Sequence, residues 1–150
     1  MFHHSNLHFN EKLKQRKVTN CIVVHHSEVN TPHNVNDIHQ WHQKKGWAGI
    51  GYHYFISKEG EIYEGRPYDT IGAHAYGYNN ESIGVCFEGN FNKEKMNDIQ
   101  LDASIMLLSV ISLAFDAPLV PHSIISKKNC PGKNFPMEKI QQKLGIARNP

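Results

Sequence analysis

Short apolar runs alternate with polar loops along most of the chain, and this pattern predicts strands mixed with helices. The first run, "IVV" within "CIVVHHSEV", predicts a buried strand over about residues 20–27. Two aromatic and β-branched runs in "YHYFISKEGEIYEG" predict a hairpin that turns at Glu59-Gly60. The segment "SIGVCFEG" predicts one more short strand further along the chain.

Three segments have the spacing of helices. Residues 34–45 predict a helix that Asn34 caps and Gly46 ends. Its inner face is expected to carry Val35, Ile38 and Trp41. Residues 95–115 predict a long helix whose apolar positions cover most of its circumference, so we expect it to be largely buried. A last short helix is expected to begin near Pro136. The whole pattern predicts an α/β fold: a single domain with a central mixed β-sheet flanked by helices.

The first eighteen residues are polar and basic, with Lys12, Lys14, Arg16 and Lys17 against Glu11. We therefore expect a basic N-terminal arm over residues 1–18 and a folded domain over residues 19–150. A solvated tail, a segment packed on the sheet, and an arm attracted to an anionic cell wall or membrane are all open interpretations.

Composition narrows the function classes. A net charge of +2 over 150 residues is too mild to indicate a nucleic-acid partner. Three widely spaced cysteines argue against a disulfide framework and suit a reducing cytoplasm. The N-terminal segment lacks the apolar core of a secretory signal, and the longest apolar run falls short of the roughly 20 residues that cross a bilayer. We expect a monomer that is made in the cytoplasm, with no transmembrane segment.

Two adjacent histidines follow the first strand. Successive side chains on a strand point to opposite faces, so His25 and His26 cannot both serve one site from a regular strand. The alternation does not indicate which of the two is functional.

The loop "VPHSIISKKNCPGKNFP" adds His122 and Cys130 as candidate metal ligands. A strand-end histidine together with these two residues would leave the fourth position of a tetrahedral zinc ion for water, as in catalytic sites. The neighbouring Lys128 would favour the thiolate form of Cys130. A structural zinc site, or a cysteine that is only a small buried apolar residue, are the alternatives.

Four segments occur together in one order: "VVHHSEV", "IHQWHQKKGWAGIGYHYFISKEGEIYEGR", "IGAHAYGYNNESIGVCFEGNF" and "PHSIISKKNCPG". They span roughly residues 20–135, and in them the chain resembles the zinc-dependent N-acetylmuramoyl-L-alanine amidases of the T7 lysozyme and peptidoglycan-recognition-protein family. The resemblance implies one Zn²⁺ per chain with His25, His122 and Cys130 as ligands. His26 is then expected to face away from the metal.

The resemblance also implies roles for five further residues. Tyr52 and Lys128 match the active-site tyrosine and lysine of the family, and His74, Tyr76 and Asn79 match a loop that lines its substrate cleft. A core aromatic, a solvated lysine and an ordinary glycine-rich turn are the alternatives for these positions.

Two positions depart from some relatives. Some cytosolic members of this fold have a glutamate where Cys86 stands, and an aspartate as the third ligand where this chain has Cys130. The general base is therefore unassigned, since nothing in the sequence gives Glu88 that role.

The function implied is hydrolysis of the amide between N-acetylmuramic acid and the L-alanine of the stem peptide, in bacterial peptidoglycan. We expect a phage or prophage endolysin that acts on the cell wall after release during lysis. A non-catalytic peptidoglycan-binding module, or a bacterial autolysin or recycling amidase, is the alternative. Cys130 favours the enzyme, because members of the family that lack this cysteine bind without cleaving.

Overall fold

The computed structural model describes residues 1–145, and a six-stranded sheet lies at its centre. The strands are β1 Phe2–His3, β2 Cys21–His26, β3 Tyr54–Ile56, β4 Ile62–Glu64, β5 Ser82–Phe87 and β6 Leu119–Pro121. The helices are α1 Val35–Lys44, α2 Asp98–Phe115, α3 His122–Ile125 and α4 Met137–Leu144, and a 3₁₀ turn covers Asn79–Glu81.

The sheet has the strand order β1-β4-β3-β5-β2-β6. All neighbours are parallel except the β3–β4 hairpin, so the predicted mixed sheet is confirmed. The strand predicted over residues 20–27, the hairpin about Glu59-Gly60 and the strand in "SIGVCFEG" are all present. Strands β1 and β6 were not predicted, because the two residues of β1 lie in a polar segment and β6 ends at Pro121, a residue that weakens a strand pattern.

The two faces of the sheet have different partners. On β2, Ile22 and Val24 point into the larger core, which α2 and α4 cover. Val23 points to the opposite face, where a smaller cluster includes Ala75. His25 follows Val23 by two positions and therefore lies on that second face.

Helix α1 begins with a capping box in which Asn34 and Asp37 exchange hydrogen bonds of 3.0 and 2.9 Å. Val35 and Ile38 are buried as predicted, but the prediction that Trp41 points inward is wrong, since it is 39% exposed. The inner positions of the last turns are instead the histidines His39 and His42. Their Nδ1 atoms accept hydrogen bonds from the backbone N–H groups of Ile50 and Gly51, which lets polar rings replace apolar ones.

Helix α2 is less buried than predicted. Four apolar residues on one face are exposed: Ile99, Met106, Val110 and Leu113. The prediction of a largely buried helix is wrong because only one side packs on the sheet and α4. By length and composition alone α2 would also suit a membrane crossing, a property shared by core helices of soluble proteins.

The N-terminal segment belongs to the same folded unit. Strand β1 pairs with β4, and the Met1 amino group lies 3.2 Å from the Glu61 carboxylate. Arg16 is buried, and its Nη1 donates to the Thr70 carbonyl at 2.8 Å. Of the interpretations open from the sequence, packing on the sheet therefore describes this segment. Its three lysines remain exposed: Lys12, Lys14 and Lys17.

Candidate metal centre and its cleft

The candidate site lies at the carboxyl edge of parallel strands. Strand β2 ends with His25 and His26, and β6 lies beside it in register, with Val24 opposite Pro121. His122 follows directly, as the first residue of α3. The carboxyl ends of parallel strands commonly carry the functional residues of α/β sheets, and two of the predicted ligands meet there.

The structure brings His25, His122 and Cys130 together. One ligand atom from each lies within 4.8 Å of the others, and all three residues are buried. His25 Nδ1 is 3.7 Å from Cys130 Sγ, and the two imidazole rings lie 4.4 Å apart. His122 Nδ1 is buried without a hydrogen-bond partner among residues 1–145. Two imidazoles and a thiol are a donor set that zinc prefers, so this cluster can hold a metal ion.

His26 takes the opposite face, as the alternation of the strand requires. Its Nδ1 accepts a hydrogen bond of 3.0 Å from the Phe91 backbone N–H, and its ring stacks near the Phe91 ring. His25 is therefore the member of the pair that joins the cluster.

The loop that carries Cys130 is fixed at several points. The Cys130 carbonyl accepts a 2.7 Å hydrogen bond from the Ser123 N–H, and the Cys130 sulfur accepts one of 3.4 Å from the His26 backbone N–H. Gly132 follows at φ +106°, and a Cβ there would lie 2.5 Å from the backbone of Phe91, so only glycine fits. These contacts hold the sulfur beside the two imidazoles.

Burial raises the pKa of the Cys130 thiol to about 12, against the opposing effect of Lys128. The lysine does favour the thiolate, as expected from the sequence, but in the metal-free chain burial outweighs it. A bound metal ion would itself displace the thiol proton.

A cleft of ≈ 710 Å³ opens above the cluster. Besides the three candidate ligands, it is lined by all five of the other predicted site residues: Tyr52, His74, Tyr76, Asn79 and Lys128. Tyr76 is 97% exposed at the rim. A second depression, of ≈ 520 Å³, lies at the end of α2 and has one titratable residue, Asp116, in its lining.

Tyr52 and Lys128 line the cleft from two different loops, before β3 and after α3. The Tyr52 ring is 5.0 Å from the His25 ring. Burial raises the pKa of Tyr52 well above its ordinary value, and the sulfurs of Cys86 and Cys130 raise it further. Lys128 is exposed. The pKa of His122 is lowered mainly by the burial of its own ring, and also by the positive charge of Lys128.

The loop predicted to contact substrate is held by Asn79. Its Oδ1 accepts hydrogen bonds of 2.9 Å from the backbone N–H groups of both His74 and Ala75. His74 is bonded through both ring nitrogens, to His25 and to Ser82. A substrate role for these residues stays a prediction, but two of them already have partners inside the chain.

Another wall of the cleft was not predicted from the sequence. Lys45 and Trp47 line it, with the lysine Nζ 5.2 Å from the centre of the indole ring. An aromatic residue directly after a helix-ending glycine was the available signal.

Glu88 is not among the residues that line the cleft. Its carboxylate instead accepts hydrogen bonds from the backbone N–H groups of His33 and Lys58. It is therefore not placed to act as a base.

Residues 14–133 match the family model for N-acetylmuramoyl-L-alanine amidases. The endolysin of Escherichia phage T7 is 34% identical over 132 residues, which covers 80% of this chain and 85% of the relative. A peptidoglycan-recognition protein of Drosophila melanogaster, SC2, is 38% identical over 94 residues, covering 60% of this chain and 51% of its own length. Among solved structures, the N-acetylmuramoyl-L-alanine amidase LysC from Clostridium intestinale superposes with a TM-score of 0.94 at 35% identity, covering 98% of this chain and 99% of that one.

Proposed function

The chain belongs to the N-acetylmuramoyl-L-alanine amidase family, and on that premise we propose that it lyses bacterial cell walls as a zinc-dependent amidase. The bond cleaved is the amide between the lactyl group of N-acetylmuramic acid and the L-alanine of the stem peptide. One Zn²⁺ per chain would be held by His25, His122 and Cys130.

The observation that supports this proposal most strongly is the convergence of those three donors within 4.8 Å at the floor of a cleft. Nδ1 of buried His122 has no hydrogen-bond partner among residues 1–145, which suits a metal ligand, since a buried polar atom without a partner is otherwise costly. Nε2 of His26 shares this property, so the convergence of the three donors is the stronger support. When bound, zinc acts as a Lewis acid on the scissile carbonyl and activates water for attack at neutral pH.

Lys128 and Tyr52 would act on the carbonyl oxygen of the scissile amide. The ammonium group of Lys128 stabilises the negative charge that develops there as the carbonyl carbon becomes tetrahedral. Tyr52 is protonated at neutral pH, since a tyrosine pKa is ordinarily about 10 and burial raises this one further, so it can donate a hydrogen bond to the same oxygen. Both groups would interact more strongly with the transition state than with the substrate.

Substitution of these two residues should lower kcat. We expect Lys128→Ala to reduce kcat roughly 100-fold, the usual effect of removing one oxyanion donor, and Tyr52→Phe to reduce it less. KM on a soluble muropeptide should change little in both variants. Steady-state kinetics together with zinc analysis of each purified variant measure these effects.

Two matched controls accompany this experiment. Lys127→Ala removes the neighbouring exposed lysine, and Tyr63→Phe removes a tyrosine hydroxyl outside the cleft. Neither control should change kcat. If Lys128→Ala raised KM and left kcat intact, Lys128 would be a substrate-binding residue only.

The reaction itself is tested on purified peptidoglycan. Cleavage of the proposed bond releases new amino groups on L-alanine and no new reducing ends. New reducing ends would indicate a glycosidase and would contradict the proposal. Wall binding with neither product would favour the non-catalytic alternative.

The exposed lysines of the N-terminal segment could concentrate the enzyme on an anionic wall or membrane after release during lysis. The triple variant Lys12→Gln, Lys14→Gln and Lys17→Gln should slow lysis of whole cells at low salt and leave cleavage of a soluble muropeptide unchanged. The difference should vanish as the Debye length shrinks from about 10 Å at 0.1 M salt to about 3 Å at 1 M.

A control with the same change in charge separates this role from net charge. Lys93, Lys95 and Lys139 are also exposed, and their triple glutamine variant should lyse cells at the wild-type rate. Equal slowing by both triple variants would show that overall charge matters and that the N-terminal segment has no special part.

We expect the protein to be a monomer, which sedimentation measures.

A further inference from the structure

His74 forms a chain of hydrogen bonds that ends on a metal-ligand candidate. Its Nδ1 lies 2.9 Å from His25 Nε2, and its Nε2 lies 3.2 Å from Ser82 Oγ. Ser82 Oγ in turn donates a 2.8 Å hydrogen bond to the Tyr78 carbonyl. Four groups are thereby linked from the backbone of the loop to the ring of His25.

The direction of every bond in this chain follows from its last member. A carbonyl oxygen can only accept, so the single hydroxyl proton of Ser82 is used on Tyr78. Ser82 Oγ must then accept from His74 Nε2–H. In a neutral imidazole the other nitrogen is an acceptor, so His74 Nδ1 accepts the proton of His25 Nε2. This leaves the lone pair of His25 on Nδ1, the nitrogen that lies 3.7 Å from Cys130 Sγ.

We propose that His74 is a positioning residue that fixes the tautomer and ring orientation of His25, so that His25 Nδ1 is presented to the metal ion. This rests on the proposed zinc function. Loss of the hydrogen-bond partner on the second nitrogen of a histidine ligand typically weakens metal binding roughly 10- to 100-fold.

The sheet is shaped to accept the His74 ring. Gly84, on β5, lies beneath it, and a Cβ at Gly84 would lie 2.5 Å from His74 Cγ. The backbone N–H of His74 is fixed by Asn79. Ring and backbone are therefore both held in place before any ligand arrives.

The test compares zinc affinity, measured by competition with a chelator, across variants of the full chain. His74→Leu has a similar volume but no acceptor, and should weaken zinc binding roughly 10- to 100-fold. His74→Asn places an oxygen near the position of Nδ1 and should recover most of the affinity. Gly84→Ala displaces the ring without altering a polar group and should also weaken binding.

Ser82→Ala removes the acceptor that orients His74 and should weaken zinc binding less than His74→Leu. Its matched control is Ser104→Ala, which removes an equally buried hydroxyl on α2, bonded to the Leu101 carbonyl, and should leave zinc affinity unchanged. The ring ¹⁵N spectrum of zinc-loaded wild-type protein should show His25 protonated on Nε2.

The outcomes distinguish the role proposed for His74 from the proposed zinc function. If the wild-type chain binds zinc and His74→Leu binds it equally tightly, this proposal is overturned and the zinc function stands. If His74→Leu keeps zinc affinity but raises KM, His74 is a substrate contact instead. If the wild-type chain binds no zinc, both proposals fail. Should His74→Leu not fold, the Gly84→Ala and Ser82→Ala affinities decide in the same way.

Discussion

Replacing any one of His25, His122 and Cys130 with alanine should abolish zinc binding and activity. Loss of a single supporting hydrogen bond outside the ligand set costs roughly 10- to 100-fold in metal affinity or activity, so loss of a ligand should cost more than about 100-fold. The three candidates are buried and converge within 4.8 Å. Zinc content by mass spectrometry and release of amino groups from purified peptidoglycan measure the two effects on the same preparations.

His26→Ala is the matched control for that series. It removes the adjacent histidine on the other face of β2 and should retain one zinc per chain. Its truncation leaves the Phe91 N–H without its partner, so we expect a loss of stability of about 1–3 kcal/mol with the metal still bound. Metal lost from His26→Ala but kept by His25→Ala would reverse the assignment of the pair.

Acid should destabilise the fold strongly, because several histidines are buried in the neutral form, among them His42 and His53, which are not candidate metal ligands. Burial lowers the pKa of His42 to about 4 and that of His53 to about 3. Nδ1 of His42 accepts from the Gly51 N–H, and Nδ1 of His53 accepts from the Gly84 N–H, so both rings hold loop and sheet backbone in place. Protonation would replace those acceptors with donors.

The direction of this pH dependence follows from the unfolded chain, in which a histidine takes up a proton at about pH 6.5. Below that pH the unfolded state binds protons that the folded state does not, so stability is full above about pH 6.5 and falls towards the folded pKa values. At pH 4.5 the two histidines together should lower the free energy of unfolding by on the order of 5 kcal/mol, a large part of the total for one domain.

Urea unfolding at pH 7 and pH 4.5 measures this loss, with chelator present at both so that metal release does not contribute. His42→Asn keeps an acceptor for Gly51 without titrating and should reduce the loss. The same substitution at the exposed His8 should not. Equal unfolding free energies at the two pH values would mean that these rings are not held neutral in the fold.

The parts of the fold that the sequence predicted are those that local physics specifies. The run Ile22–Val24 is apolar because β2 is buried on both faces, and Asn34 begins α1 because its side chain caps the Asp37 N–H. The predicted ligands depended on the order of four motifs and not on spacing, since His122 and Cys130 match no compact metal pattern. The tertiary structure brings these two residues together with His25, as those motifs implied.

The parts that the sequence did not predict depend on tertiary neighbours. The exposed face of α2 is as apolar as its buried face, so no local pattern separates Leu113 from Leu108. Trp41 and His42 both continue the helical spacing of Val35 and Ile38, and the histidine takes the inner position, where its Nδ1 accepts a hydrogen bond from the Gly51 N–H. The internal bonds of His74 likewise link residues that are eight and forty-nine positions apart.

The most direct test of the metal centre is X-ray absorption at the zinc edge of the zinc-loaded protein. We expect one sulfur at about 2.3 Å, two imidazole nitrogens at about 2.0–2.1 Å and one further light atom that is not from the protein. His26→Ala should give the same spectrum. A shell without sulfur, or four ligands all supplied by the protein, would contradict a catalytic zinc centre built from His25, His122 and Cys130.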